Sequence, residues 1–569
     1  MTPGVRALAG AHHRGERSIT DTIEDAIDAL DATPDPCTWI SRVPAAQLRA
    51  RAAELQDKPA GLALLGVPFA VKDNIDVAGL PTTAACPDFA YIPRQSAFVV
   101  RTLLQAGAIL VGKTNMDQFA TGLVGTRTPH GACSSVFSRE HISGGSSSGS
   151  AVAVAAGIVP FSLGTDTAGS GRVPAAFNGV TGLKPSVGRL SCHGVVPACR
   201  TLDCVSIFTR DVADAAAVLA AADGFDPADP HARRAPVPRD ARYPTRIGVP
   251  RPQDLALLDD GCRQAWEAVL ARAVELTHDV IEINLEPFHA AARLLYEGPW
   301  VAERYAAVGA FLEREDITAD PVVRAIVLSG AMPSAADAFR GMYRLAELRR
   351  ETEPVWQQID ALLLPTVPTH PTHADVAADP VGVNARLGTW TNFVNLLDLA
   401  AVAVPTGSHG DGLPFGVTLA GPAWCEPSLL RLAAAFETTA QPHIDIAVVG
   451  AHLSGMPRNH ELLERGAQLI CRTRTAPCYR LFALGDDTGR PGLLRDHEQG
   501  DAIDLEVWRM SATALGTFIA GVTAPLAIGT LELEDASTVH GFLCEPHALH
   551  GATEATSFGG WREYIASAG

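Results

Sequence analysis

Serine and glycine are concentrated in two short segments of the chain. The apolar stretch between them, residues 151–163, predicts a buried helix followed by a short strand. Residues 143–150 read SGGSSSGS, and residues 164–172 read GTDTAGSGR. Glycines allow the backbone to turn sharply and to approach a ligand closely, and successive N–H groups in such a turn can bind a negative charge. Acyl transfer needs a serine nucleophile beside N–H donors of this kind. We therefore expect two shaped loops, with Ser170 as the candidate nucleophile.

A serine nucleophile requires a base, and the sequence offers a lysine. Residues 66–74 read GVPFAVKDN, in which an apolar run typical of a strand ends at Lys72. A lysine held in a dry site has a lowered pKa and can act as a general base. Lys113 follows another apolar run and is a second candidate, for which a structural or solvated charge is the favoured interpretation. Each segment alone would indicate an ordinary loop or a flexible linker, whereas all three together favour catalysis.

These three segments resemble the signature sequences of the amidase signature family. PFAVKDN, SGGSSSGSA and GTDTAGSGR stand in the order of that family. The resemblance implies a triad in which Lys72 deprotonates Ser146, and Ser146 relays the proton from Ser170 as Ser170 attacks an amide carbonyl. It also implies a cis peptide bond between Gly145 and Ser146. The sequence departs from many members at Ser148, where they have glycine.

The same resemblance implies which backbone groups stabilise the transition state. They are the N–H groups that would bind the oxyanion, namely those of Thr167, Ala168, Gly169 and Ser170. The segment KTNMDQFATG at residues 113–122 resembles the one that precedes the signature in the family. We expect this segment to line the site.

Length, charge and cysteine content restrict the class of protein. A chain of 569 residues suits two or three domains, and a net charge of −18 argues against a nucleic-acid-binding surface. The eleven cysteines form no CxxC pair, and the first 20 residues show no apolar signal sequence. No apolar run is long enough for a membrane span. We expect a cytoplasmic protein with free thiols, no metal site and no cofactor.

Alternating strand and helix patterns predict an α/β fold for the larger part of the chain. The family resemblance implies a large mixed, twisted sheet covered by helices, in a domain at residues 1–440. Residues 438–444, which contain Gln441-Pro442, are expected to form the domain boundary. The second domain, at residues 445–569, carries β-rich segments at 479–484, 503–508, 526–533 and 539–544. These segments predict a small, mostly-β, barrel-like domain with its own core.

A charged residue lies on an otherwise apolar segment at residues 293–308, which read RLLYEGPWVAERYAAV. Tyr296 and Arg304 are eight residues apart, about two helical turns, so that both can face one side of a helix. An arginine in such surroundings requires a carboxylate or phosphate partner. The simplest partner would be Glu297 or Glu303 on the surface, and a bound anion is the alternative.

The second domain carries motifs that narrow the resemblance. AVVGAHLSGMP, TAPCYRLFAL, GFLCE and GGWREY, together with the amidase core, resemble the allophanate hydrolase group. This resemblance implies allophanate as substrate, with its carboxylate bound by Arg304 and Tyr296, and a homodimer. It implies hydrolysis to ammonia and a carboxylated carbamate, which decays to ammonia and carbon dioxide with help from the second domain. His452 is the candidate residue there and is equally well explained as a structural histidine; His460, His540 and His547 are weaker candidates.

Other functions remain open from the sequence. Biuret or malonamate are related substrates, and a general small-amide amidase is the first alternative. The amidase-like subunit of the tRNA-dependent glutamine amidotransferase is another, although it lacks this second domain. A non-catalytic amidase-like binding protein is disfavoured because Lys72, Ser146 and Ser170 are all present. No biotin-attachment or ATP-binding module is visible, so that a separate urea carboxylase is the expected source of allophanate.

Overall fold

The computed structural model describes residues 2–56, 61–236, 243–277, 279–409, 412–438, 443–484 and 490–568. The chain divides into two compact units, Met1–Thr439 and Ala440–Gly569. The core of the predicted boundary, Gln441-Pro442, lies outside the described residues. No described helix has the length and apolar character needed to cross a membrane.

The first unit is built from strands and helices that alternate along much of the chain. Its strands are β1 (Trp39–Arg42), β2 (Pro68–Lys72), β3 (Ile109–Thr114), β4 (Ser134–Ser135), β5 (Ser138–Ile142), β6 (Phe161–Asp166), β7 (Thr181–Lys184), β8 (Cys204–Thr209), β9 (Arg246–Pro250), β10 (Asp279–Ile283), β11 (Ala361–Pro365), β12 (Leu399–Ser408) and β13 (Pro414–Pro422). Its helices are α1 (Val5–His13), α2 (Ile19–Asp31), α3 (Ala45–Gln56), α4 (Phe98–Gln105), α5 (Ser148–Ala155), α6 (Val173–Phe177), α7 (Val212–Ala222), α8 (Asp260–Leu276), α9 (Glu286–Arg293), α10 (Trp300–Leu312), α11 (Pro321–Ser329), α12 (Ala335–Thr352), α13 (Val355–Gln358), α14 (His373–Ala378), α15 (Gly382–Leu387), α16 (Phe393–Leu396) and α17 (Glu426–Phe436).

Eleven of these strands form one mixed sheet in the order β1-β3-β2-β6-β8-β7-β12-β13-β11-β9-β10. β2 runs parallel to both β3 and β6, whereas β8 is antiparallel to both β6 and β7. Every residue of β2 and of β6 is buried, as expected for strands whose two faces are both covered. The predicted mixed α/β sheet is therefore confirmed.

Two neighbouring parallel strands bring the sequence motifs to one edge of the sheet. Phe69 of β2 pairs with Phe161 of β6, and their rings stack with centroids 5.1 Å apart. Because the strands are parallel, Lys72 at the end of β2 lies beside the last residues of β6, where the GTDTAGSGR segment begins. The stretch between the two serine loops forms α5 and β6, which confirms the predicted helix and strand, although α5 begins at Ser148 within the first loop.

The second unit is smaller and mostly β. Its strands are β14 (His443–Val448), β15 (Gln468–Arg474), β16 (Tyr479–Ala483), β17 (Pro491–Arg495), β18 (Asp504–Ser511), β19 (Leu526–Glu532), β20 (Thr538–Cys544) and β21 (Thr553–Glu554), and its helices are α18 (His460–Leu463), α19 (Ala512–Ile519) and α20 (Trp561–Ala568). They form a five-stranded sheet in the order β15-β18-β14-β20-β19 and a three-stranded sheet in the order β17-β16-β21. A shared core that includes Trp508 and Trp561 fills this unit. Its described strands do not close into a barrel.

Candidate active site

Lys72 lies at the buried end of β2 and contacts the first serine loop. Its side chain is fully buried, and its Nζ lies 2.7 Å from Ser146 Oγ and 2.7 Å from Thr165 Oγ1. Burial lowers the pKa of Lys72 to about 7, against the opposing effect of nearby carboxylates such as Asp117 and Asp203. An amine with this pKa is largely uncharged just above neutrality and can accept a proton.

The two serines continue the chain of hydrogen bonds from the lysine. Ser146 follows a cis peptide bond from Gly145, and its Oγ lies 2.9 Å from Ser170 Oγ. Hydroxyl groups both donate and accept. When the Lys72 amine is uncharged, the direction of donation can therefore run from Ser170 through Ser146 to Lys72. The structure thus brings together, in the predicted order, the three residues that the sequence singled out.

Backbone N–H groups surround the candidate nucleophile. Among the described residues, no protein acceptor engages the N–H of Thr167, Ala168 or Ser170, which leaves them open to a ligand. The N–H of Gly169 differs, because it donates to Asp166 Oδ1 at 2.9 Å. Gly169 has a φ of +136°, a conformation that favours glycine. The open donors in this structure are therefore three of the four groups that the resemblance implied.

A buried ion pair shapes the second serine loop. Asp166 accepts two hydrogen bonds of 2.9 Å from the Arg172 guanidinium and one of 3.0 Å from the Gly171 N–H. Burial alone would raise the pKa of Asp166, but the charge and hydrogen bonds of Arg172, the charge of Lys184 and the Gly171 N–H together outweigh burial and lower that pKa. Such a paired, bidentate contact fixes geometry as well as energy. The spacing of these two residues did not indicate the pair, although both belong to the GTDTAGSGR segment.

Asp203, which lies immediately before β8, supports the same loop. Its carboxylate accepts from Thr167 Oγ1 at 2.5 Å and from the N–H groups of Ala198 and Cys199 at 2.9 and 3.1 Å. Burial raises the pKa of Asp203 to about 6. The residue also acts electrostatically on Lys72. Nothing in the spacing of Asp203 indicated this role.

The segment at residues 113–122 lines the site, as expected. The Asp117 N–H donates to the Ser146 carbonyl at 3.1 Å, and the Gly122 carbonyl lies 3.4 Å from Ser170 Oγ. Lys113 lies elsewhere: its Nζ is 3.2 Å from Asp73 Oδ1 and 2.7 Å from Thr82 Oγ1. Lys113 is therefore a buried, paired structural charge rather than a solvated one.

Arg304 is buried close to the nucleophile, and Tyr296 lies against it. Arg304, in α10, is 1% exposed, and its guanidinium carbon lies 5.5 Å from the centre of the Tyr296 ring. The prediction that one helix carries both residues is wrong: Tyr296 lies in a turn between α9 and α10. That turn contains Gly298 and Pro299, and proline removes a backbone donor and favours the start of a new helix.

The hydrogen bonds around Arg304 exclude Glu303 as its surface partner. Nη1 donates to Thr121 Oγ1 at 3.1 Å, and Nε has no hydrogen-bond partner among the described residues. Glu303 instead accepts from the N–H and hydroxyl of Thr201, both at 2.8 Å. Thr121 is adjacent to Gly122, whose carbonyl contacts Ser170, so that one short segment joins the guanidinium to the nucleophile.

In the second unit, His452 lies in an aromatic environment. Its ring stacks on Phe542 at 5.6 Å and meets the edge of Phe518 at 5.1 Å, and Nε2 lies 3.3 Å from Glu461 Oε2. Burial lowers the pKa of His452, against the effect of Glu461. The three weaker candidates are exposed: His460, whose Nδ1 bonds the Pro457 carbonyl, His540 on β20, and His547, which is 3.4 Å from Glu545.

Two of the sequence motifs in the second unit converge on a residue that sequence analysis did not identify. Glu506 is buried and accepts from the N–H and hydroxyl of Ser454 at 2.7 and 2.9 Å. The same carboxylate pairs with Arg562 at 3.0 Å and Arg472 at 3.1 Å. Ser454 belongs to AVVGAHLSGMP and Arg562 to GGWREY. One residue from each of these two motifs therefore contacts the same buried carboxylate.

The fold agrees with comparisons to known proteins. The chain belongs to the amidase family, whose profile matches residues 21–430. Residues 444–566 match the allophanate hydrolase C-terminal domain. The family resemblance seen in the sequence is therefore confirmed, as is the presence of the additional domain.

Individual relatives cover different parts of the chain. The structure of Kluyveromyces lactis allophanate hydrolase is similar over 98% of both chains, with 40% identity and a TM-score of 0.72. Urea amidolyase from Saccharomyces cerevisiae is 42% identical over 95% of this chain, and the chain spans about a third of the length of such urea amidolyases. A glutamyl-tRNA(Gln) amidotransferase chain from Synechococcus is 33% identical over 75% of this chain and 94% of its own length.

Proposed function

We propose that the protein hydrolyses allophanate, and one observation carries this proposal. The buried guanidinium of Arg304 has no carboxylate partner among the described residues, and its Nε has no hydrogen-bond partner. A planar carboxylate is the group that this guanidinium binds best. Allophanate combines such a carboxylate with a terminal amide, which is the bond that the Lys72, Ser146 and Ser170 geometry suits. The similarity to allophanate hydrolase over nearly the whole chain supports the same substrate.

The proposed reaction begins with proton transfer along the three side chains. Uncharged Lys72 takes the proton of Ser146, which takes that of Ser170, and Ser170 Oγ attacks the terminal amide carbonyl. The oxyanion is stabilised by the open N–H groups of Thr167 and Ala168 and that of Ser170 itself. Return of the proton through Ser146 releases ammonia and leaves an acyl-enzyme. Water then attacks this ester by the same relay and releases the carboxylated carbamate.

A second step breaks this product down, and we place His452 in it. Loss of carbon dioxide from the carboxylated carbamate leaves charge on nitrogen, which must be protonated. The lowered pKa of His452 and its contact with Glu461 suit a group that passes a proton. The competing role of His452 is to pack between Phe518 and Phe542. A variant that keeps the packing distinguishes the two roles, as described below.

The biological setting proposed for the protein follows from the same comparisons. A urea carboxylase would supply allophanate, since the relatives that this chain matches over about a third of their length are urea amidolyases. The cytoplasm is the proposed compartment, because none of the eleven cysteines forms a disulfide bond in the structure.

We also propose a homodimer. An apolar surface on and before α12 is formed by Met332, Phe339, Met342 and Tyr343, which are each at least 56% exposed. Contiguous exposed apolar side chains often mark interaction surfaces. Light scattering of the wild type and of Phe339→Ser tests this proposal; a monomeric wild type would contradict it.

Replacing Arg304 tests the substrate assignment. We expect Arg304→Ala to lower kcat/KM for allophanate by about 10²-fold or more, because losing one partner of a desolvated charge pair costs about 2–5 kcal/mol. The kcat/KM for propionamide, which has no carboxylate, should change by less than about 3-fold, since free energies within about 0.6 kcal/mol correspond to this range. Arg293→Ala is the control, since Arg293 is exposed and pairs with Glu286. Equal losses of kcat/KM for both substrates would contradict a role of Arg304 in binding the carboxylate and would indicate a structural role.

A further inference from the structure

A second cluster of reactive side chains lies apart from the residues described above. Asp259 and Cys262 are at the start of α8, and His409 follows β12. The three groups each offer a ligand atom, and these atoms all lie within 4.8 Å of one another. Cys262 is fully buried and His409 is 8% exposed. We propose that these residues form a binding site for a divalent transition metal, with zinc as the best fit.

The chemistry of the three groups selects the metal. A thiolate, an imidazole and a carboxylate are the ligands that zinc takes in proteins, whereas calcium and magnesium prefer oxygen alone. Cys262 Sγ lies 3.5 Å from His409 Nε2. With zinc–sulfur and zinc–nitrogen distances of about 2.3 and 2.1 Å, tetrahedral coordination puts these two atoms about 3.6 Å apart. The two ligands are therefore already spaced for one zinc ion.

The start of α8 positions two of the ligands. Asp259 caps the helix, and its Oδ1 accepts from the Cys262 N–H at 2.7 Å. One carboxylate oxygen thus fixes the local geometry, and the other is available to a metal. Cys262 lies in the first turn of the same helix. Asp259 is partly exposed, which gives an ion a route from solvent and allows a water as fourth ligand.

The imidazole reaches the helix because Gly261 has no side chain. A Cβ at Gly261 would lie 3.0 Å from His409 Nδ1. The backbone of His409 is held by its N–H, which donates to the Leu413 carbonyl at 2.7 Å. A bound ion would therefore tie the start of α8 to the segment between β12 and β13. The sequence alone predicts no metal site, because His409 is far along the chain from Cys262 and no paired cysteine spacing marks the ligands.

Metal titration of the full-length protein tests the proposal. After treatment with a chelator, the protein should bind one equivalent of zinc, and cobalt in its place should give a thiolate-to-cobalt charge-transfer band. Even the loss of an outer-shell partner costs about 10–100-fold in metal affinity, so Cys262→Ser and His409→Ala should weaken zinc binding by at least about 10-fold. Bound zinc should also raise the Tm of the wild type.

Cys86→Ser is the matched control. Cys86 is also buried, and its thiol donates to the Thr318 carbonyl. Its zinc affinity should equal that of the wild type. The absence of a thiolate-to-cobalt band in the wild type would overturn the proposal, whatever the folding of the variants. Unchanged zinc affinity in Cys262→Ser would also overturn it, and would leave a thiol–imidazole hydrogen bond as the function of the pair.

Discussion

The proposed chemistry depends on an uncharged amine at Lys72. Burial lowers its pKa to about 7, and carboxylates at Asp117, Asp203 and Asp166 keep it from falling further. The amine and the nucleophile are linked through Ser146, with successive distances of 2.7 and 2.9 Å. A base whose pKa lies close to the working pH transfers protons efficiently in both directions. The same residue can therefore receive the proton of Ser170 and return it to the leaving ammonia.

The pH dependence of catalysis follows from the sign of this titration. Because protonated Lys72 cannot accept a proton, kcat/KM should rise with pH through about 7 and level off above it. Asp203 raises the pKa of Lys72, so in Asp203→Asn the midpoint should move to lower pH. Lys72→Arg remains protonated and should lose about 10²–10⁴-fold in kcat, the usual contribution of a general base.

Steady-state ammonia release between pH 5 and 9 measures these effects. Lys113→Arg is the control, because Lys113 pairs with Asp73, and its profile should keep the wild-type midpoint. A wild-type profile that is flat across neutral pH would contradict the role of Lys72. Near-wild-type activity in Lys72→Arg would contradict it as well.

The elements that carry the site are two parallel strands and the loops at their ends. β2 and β6 lie side by side, so that Lys72 and the loop of Ser170 begin at the same edge of the sheet. The buried pair of Asp166 and Arg172 then fixes the loop through four hydrogen bonds to Asp166, including one from the Gly169 N–H. Preorganised N–H donors of this kind stabilise a transition state without rearranging. The rigidity of the loop is therefore part of the proposed mechanism.

A methyl group at Gly169 should disturb this loop. A Cβ there would lie 2.5 Å from Thr391 Oγ1, and φ is +136°. We expect Gly169→Ala to lower kcat by about 10²–10³-fold, comparable to the loss of an oxyanion donor. The control is Gly407→Ala, where φ is +154° and a Cβ would meet nothing within 4 Å.

Kinetics and thermal unfolding of both variants separate clash from backbone strain. Both should lose stability, by about 1–3 kcal/mol for the unfavourable φ, and only Gly169→Ala should lose activity. Wild-type kcat in Gly169→Ala would show that this loop does not set the reaction rate.

The sequence predicts the site residues that lie within continuous motifs. Lys72, Ser146 and Ser170 could be found because strand, loop and helix signals surround each of them. Asp203 and Glu506 were missed because their partners, such as Thr167 and Ser454, are distant in sequence. The prediction of one helix across Tyr296 and Arg304 is wrong. It rests on the eight-residue spacing of the two side chains, whereas Gly298 and Pro299 between them interrupt the helix. The side chains nevertheless meet, since α9 and α10 are joined by a short turn.

Two units in one chain suit a reaction with two chemical steps. The first unit holds the residues proposed for hydrolysis, and the second contains its own core around Trp508 and Trp561. Glu506 joins two motifs within that core. Family matches cover both units separately. We therefore propose that the first unit releases one ammonia from allophanate and that the second promotes the loss of carbon dioxide that frees the other.

The yield of products tests this division. His452→Phe keeps an aromatic ring between Phe518 and Phe542 and removes the imidazole nitrogens. We expect it to release the first ammonia at the wild-type rate and carbon dioxide at least about 10-fold more slowly, within the range of general acid–base catalysis. Malonamate, whose hydrolysis product carries no carbamate nitrogen, should be hydrolysed normally.

Parallel assays of ammonia and carbon dioxide make this comparison, with His460→Ala as an exposed control. Wild-type carbon dioxide release in His452→Phe would assign His452 to packing alone.

The most direct test of the central claim is ammonia release by the wild-type protein from allophanate, biuret, malonamate and propionamide under one set of conditions. If the site binds a carboxylate through Arg304 and hydrolyses the neighbouring amide, kcat/KM should be highest for allophanate, lower for malonamate, and about 10²-fold or more lower for biuret and propionamide, which carry no carboxylate. Equal or greater activity on propionamide would leave the three catalytic side chains in place and contradict the assignment of allophanate as substrate.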